Sequence, residues 1–106
     1  MNENELVSVA MQIILHAGDA RVEINKALKA AKKFDFNTAK SCMTEAEQCV
    51  LKAHKAQTEI IQNEASGKVY PYSLLFAHAQ DTLMTINSEY RMASEMIDIL
   101  HLIKNS

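Results

Sequence analysis

With 106 residues and a formal net charge of −2, the chain has the length for one domain, residues 1–106, with a modest core of its own. So mild a charge sets up no strong field toward nucleic acid or an anionic membrane. Two glycines, one proline and no tryptophan leave few turn formers, and Ala, Leu, Lys, Glu, Gln and Met favour helix, so an all-α chain is expected.

The first predicted helix runs from about residue 3 to 33. Its acidic start, Met1-Asn2-Glu3-Asn4-Glu5, places no basic stretch ahead of an apolar run, so no signal peptide is expected. The unbroken apolar runs are too short to span a bilayer. Leu6, Ala10, Ile13, Ala17, Ala20, Ile24, Ala27 and Ala31 recur in steps of three and four, a stripe for core packing. Most of these are alanine, so a neighbouring helix can come close. Gly18 sits mid-helix, where it costs about 1 kcal/mol relative to Ala. A packing contact, or room for a ligand or neighbouring subunit, would account for it. Lys26, Lys29, Lys32 and Lys33 cluster at helical spacing and read as a solvated face.

Phe34-Asp35-Phe36-Asn37 breaks the pattern, with Asp35 as the expected N-cap of a second helix over about 36–66. Phe36, Ala39, Met43, Ala46, Val50, Ala53, Gln57 and Ile60 form its stripe, and Gly67 supplies the stop. Cys42 and Cys49 lie about 10 Å of helical rise apart, too far for a disulfide. They read as small buried apolar residues in a reducing compartment, so a cytoplasmic location is expected.

The linker Lys68-Val69-Tyr70-Pro71 leads to a third helix expected over about 71–104, with Pro71 in its first turn. Phe76, Ala79, Leu83, Ile86, Tyr90, Ala93, Ile97 and Leu100 form the seam toward the other helices. A second stripe lies roughly opposite: Leu74, His78, Asp81, Thr85, Ser88, Met92, Glu95, Ile99 and Leu102. An up-down-up antiparallel three-helix bundle has no partner for that face, which argues for self-association. Met11, Met43, Met84, Met92 and Met96 read as core filler.

Four histidines are present: His16, His54, His78 and His101. His54 and His101 read as ordinary polar positions. His78 differs because Asp81 follows one turn later on the same face and can orient or polarise an imidazole. No His-x-x-x-His or Cys-x-x-Cys metal spacing, Gly-rich phosphate loop, or Ser or Cys nucleophile with an obvious base is present.

Ile13-Ile14-Leu15-His16-Ala17-Gly18-Asp19-Ala20-Arg21 and His78-Ala79-Gln80-Asp81-Thr82-Leu83-Met84-Thr85 together resemble the IIA component of the lactose/cellobiose (chitobiose) branch of the phosphoenolpyruvate-dependent sugar phosphotransferase system. The resemblance covers essentially the whole chain, including the Tyr72-Ser73-Leu74-Leu75 entry to the third helix. It implies a cytoplasmic phosphocarrier of disaccharide uptake. His78 would accept a phosphoryl group from the carrier protein HPr and pass it to the sugar-specific IIB component. It further implies a homotrimer in which three copies of Asp81 meet at the three-fold axis around one divalent metal, taken as Mg²⁺. Gln80 is expected to bind phosphoryl oxygens, and His16 and Thr82 to approach the same site. Members commonly carry a second histidine where this chain has Thr82, which bears on transfer rate and partner preference. A helical interaction module that keeps the fold but has lost transfer is the alternative. Neither nucleic acid nor direct membrane insertion is expected.

Overall fold

Three helices carry the chain: α1 (Asn2–Lys32), α2 (Phe36–Ala65) and α3 (Leu74–Lys104). They come from a computed structural model that describes residues 2–106; Met1 of the acidic start lies outside the described residues. No strand occurs among the described residues, so the expected all-α three-helix architecture holds. The molecule is a rod of 56 × 20 × 18 Å.

The α1 stripe is the core, as its spacing predicts. Ala10, Ile13, Ala17, Ala20, Ala27 and Ala31 are fully buried, with Leu6 and Ile24 nearly so. Facing them, α2 buries Ala39, Ala46 and Ala53, and α3 buries Ala79 and Ala93. Small side chains on all three surfaces bring the helix axes close, while Ile13, Ile60, Leu83 and Ile86 fill the wider gaps. No polar or charged residue is buried among the described residues, so the core carries no desolvation cost of that kind. α1 packs against both other helices, whereas α2 and α3 touch each other least.

Both turns follow from their residues. At the end of α1, the Asp35 N–H bonds the Ala30 carbonyl and the Phe34 N–H bonds the Ala31 carbonyl, each at 2.9 Å, a Schellman closure. Such a closure needs a left-handed residue, and here it is Phe34 at φ 62° rather than glycine. Asp35 then caps α2 by accepting from the Thr38 N–H at 3.2 Å. The Thr38 hydroxyl first, and then that backbone bond, hold its carboxyl below the usual carboxylate range. α2 closes the same way, Lys68 N–H to Asn63 carbonyl and Gly67 N–H to Glu64 carbonyl, both at 3.0 Å. Gly67 takes φ 101°, where a Cβ is disfavoured.

The third helix starts at Leu74, three residues later than Pro71 had suggested. Ser73 is the N-cap, its hydroxyl accepting from the Phe76 N–H at 3.1 Å, and Pro71 stays in the linker. Tyr70 is tied down before it, packed on the core and bonded through its hydroxyl to Asn63 at 2.9 Å. Two ion pairs fix register: Arg21 with Glu89, bidentate at 2.7 and 3.1 Å, and Lys68 with Glu5 at 2.8 Å. Both are solvent-exposed and add little stability, but they show α1 and α3 running parallel with α2 reversed between them.

The cysteines are half-buried rather than buried, and both are free. Burial first, then neighbouring acids such as Glu23 and Asp19, push both thiols up. They are poor nucleophiles in consequence.

Candidate functional site

The outward stripe of α3 has no partner among the described residues. Leu74, His78, Asp81, Thr85, Ser88, Met92, Glu95, Ile99 and Leu102 are all exposed, with Leu74 at 73% and Leu102 at 69%. A second apolar row on α1 is also open: Val7, Met11, Leu15 and Val22. Of the five methionines read as core filler only Met43 is buried, while Met11, Met84, Met92 and Met96 are exposed on these outer faces. They lie one position off the alanine-rich seams, which is why the core excludes them. Rows of flexible apolar side chains left in water mark an association surface.

His78 stands in the first half of the α3 stripe, four residues into the helix from Leu74. Its imidazole has no hydrogen bond or ion pair among the described residues, so both ring nitrogens face solvent. The backbone carbonyl of His78 accepts from the Thr82 hydroxyl at 2.9 Å. The carbonyl of Asp81 accepts in the same way from Thr85 at 2.9 Å. Both threonine protons are therefore spent on their own helix, and in this arrangement Thr82 has none to give outward. No hydrogen bond joins His78 to Asp81. Asp81 does not orient the imidazole here, and its carboxylate is exposed beside it.

Within one chain the other expected site residues lie elsewhere. Gln80 is two residues from His78, which on a helix puts it on another face. It is half-buried and lines a cavity of about 220 Å³ with Leu6, Ile60, Tyr70, Tyr72 and Ser73. His16 is half-exposed on α1, on the flank that carries Asp19 and Glu23. Both of these acids act on the thiol of Cys49 in α2, so this flank faces α2 rather than α3. Of the two readings of Gly18, the packing contact fails among the described residues, since a Cβ there meets nothing within 4 Å; room for a ligand or a neighbouring subunit stays open. The cavity at Gln80 was not foreseen, because its walls come from three separate segments with no shared pattern.

Among the described residues no three His, Cys, Asp or Glu side chains come together to hold a metal. Among the described residues one chain offers a single carboxylate beside His78, that of Asp81. A divalent cation would fit that donor chemistry only if several copies brought their carboxylates together. No described helix is long and apolar enough to cross a membrane.

Residues 8–101 match the family model described as the lactose/cellobiose-specific IIA subunit of the phosphotransferase system. The chain is 45% identical over 85 residues to the lactose-specific EIIA component of Lactococcus lactis subsp. lactis, covering 80% of this chain and 81% of that protein. Its structure is similar to the cellobiose-specific enzyme IIA of Bacillus anthracis, with a TM-score of 0.90 and 35% identity over 95% of this chain and 93% of that one. It is also similar to the IIA(Chitobiose) of Escherichia coli solved in complex with HPr, with a TM-score of 0.81 and 36% identity over 93% of this chain and 96% of that one.

Proposed function

Since the chain belongs to the lactose/cellobiose-specific IIA family of the sugar phosphotransferase system, it is a phosphocarrier of that system, and we propose that His78 is the residue that carries the phosphoryl group. The observation that supports this is the state of His78: exposed on a helix, with an imidazole that nothing else among the described residues engages. A free neutral imidazole is a competent nitrogen nucleophile. Nε2, the ring nitrogen farther from the backbone, is the one that an approaching phosphoryl group meets first.

The donor is the phosphohistidine of HPr, a reading supported by the solved complex of the E. coli relative. In-line transfer breaks the donor N–P bond as the His78 N–P bond forms, and the donor imidazole leaves. The reverse geometry then hands the group to the IIB component. Transfer of this kind asks mainly for positioning and charge stabilisation. A helix 31 residues long, anchored through Leu83 and Ile86, supplies the positioning. Charge stabilisation has to come from outside this chain's own site, because the Thr82 hydroxyl is occupied and Gln80 lies behind α3. The partner proteins and a neighbouring copy are the sources. The carrier works in the cytoplasm, in the uptake of a disaccharide of the lactose, cellobiose or chitobiose class.

The assembly is a homotrimer, supported by the two apolar rows left open on α1 and α3. Third helices meeting along the outer stripe bring three copies of Asp81 together, where like charges repel. A Mg²⁺ ion held by those carboxylates would supply neutralisation at that point. Incubation with phosphoenolpyruvate and the general carrier proteins tests the transfer: an acid-labile phosphate should appear on the chain. Binding of HPr without any phosphate would favour the alternative, an interaction module that has lost transfer, for which Thr82 in place of histidine is the support. Sedimentation should give about three times the chain mass, and a stable monomer would contradict the trimer.

A further inference from the structure

The net charge of −2 conceals a local imbalance at the end of the rod remote from His78. Lys29 and Lys32 in the last turn of α1, Lys33 just after it and Lys104 in the last turn of α3 all end at this tip. All four are exposed and none has an ion-pair partner among the described residues, whereas Arg21, Lys26 and Lys68 are each paired to a glutamate. Helix C-termini favour cations, which explains one or two lysines but not the aromatic group set among them. Phe34 is held in the left-handed region at φ 62°, where a bulky side chain is disfavoured, and its ring remains 44% exposed. The Lys104 ammonium lies 5.2 Å from the centre of that ring. Phe36 supports it from 6.1 Å, and His101 packs edge-on against Phe36 at 4.6 Å. Asp35, on the same turn, caps α2 as a carboxylate and offsets one of these four charges, which leaves the tip cationic.

We infer that this tip is a docking surface for an anionic lipid bilayer, with the lysines meeting headgroups and the Phe34 ring entering the interface between them. Exposed cations at the same end as an exposed aromatic side chain, one of them over its ring, are the chemistry that suits such a surface. The fit is to a flat partner met end-on, because the lysines and the ring share one end of the 56 Å rod. The same geometry keeps the phosphoryl site free, because His78 lies about 40 Å back along α3. The inference does not depend on the phosphoryl reading and holds for a monomer or an assembly.

Co-sedimentation with vesicles tests it. At low salt the whole chain should bind phosphatidylcholine vesicles containing about one-third phosphatidylglycerol and should ignore pure phosphatidylcholine. Reversing two charges in Lys32→Glu/Lys33→Glu should weaken binding at least about tenfold. Phe34→Ser should weaken it less, and both variants should keep the helical circular dichroism of the parent. The control Lys52→Glu/Lys55→Glu, on the exposed face of α2, should bind as the parent does. Absence of binding to the anionic vesicles would overturn the inference. So would equal loss in the α2 control, or tighter binding to nucleic acid than to the vesicles.

Discussion

Adding carbon at two adjacent positions of α1 should move stability in opposite directions. Ala17 is fully buried in the α1 seam. Ala17→Leu keeps helix propensity almost unchanged and inserts three carbons where no space exists, so it should cost about 1–3 kcal/mol. Gly18, the next residue, has nothing within 4 Å of the position a Cβ would take. Gly18→Ala therefore recovers the helix penalty of about 1 kcal/mol without a clash. For a domain of this size, Tm should rise by about 4 °C in the second variant and fall by roughly 4–15 °C in the first. Thermal unfolding followed by far-UV circular dichroism reads both. A lower Tm for Gly18→Ala would refute the reasoning, because something beyond the chain's own surface would have to occupy that space. A neutral Ala17→Leu would mean that the alanine seam is looser than its zero exposure implies.

Asp35 supplies a pH test. Its folded-state carboxyl is held below the ordinary value by the Thr38 bonds, so its contribution is present above the ordinary carboxylate range and is lost as pH falls through the lower folded value. Asp35→Asn keeps a cap and should flatten that acid limb in melts taken across pH, while an unchanged limb would contradict the assignment. Thr82→Val should leave the initial rate of His78 phosphorylation nearly unchanged, because the hydroxyl already bonds the His78 carbonyl; a large loss would show that it serves the phosphoryl group. Asp81→Leu should remove metal binding while keeping or strengthening the trimer in sedimentation, since apolar packing replaces converging charge. Dissociation to monomers would contradict that.

The seams of all three helices were legible because a core position must recur every three or four residues, and Leu6 through Ala31 keep that spacing without a miss. Asp35 and Gly67 were legible for local reasons, one a side-chain acceptor and the other a backbone free to take positive φ. The start of α3 was not, since Pro71 and Ser73 are both start signals and only the fixing of Tyr70 on the core decides between them. Phe34 in a left-handed closure had no signal in its residue type. The exposed methionines were in principle readable, because Met84 follows Leu83 of the seam and so cannot share its face. Gln80 is similar: the motif links it with His78, yet two residues along a helix turn it to the cavity behind. His78 and Asp81 could be placed on one open face from spacing alone. What that face meets is written in a second copy or a partner, which a single chain's periodicity does not describe.

The central claim is that His78 carries the phosphoryl group, and mapping the phosphate tests it most directly. After incubation with phosphoenolpyruvate and the general carrier proteins, mass spectrometry under conditions that preserve phosphohistidine should find the group on His78. It should be absent from His78→Ala with an unchanged melting curve. Phosphate on His16, His54 or His101, or phosphate that survives in His78→Ala, would contradict the account.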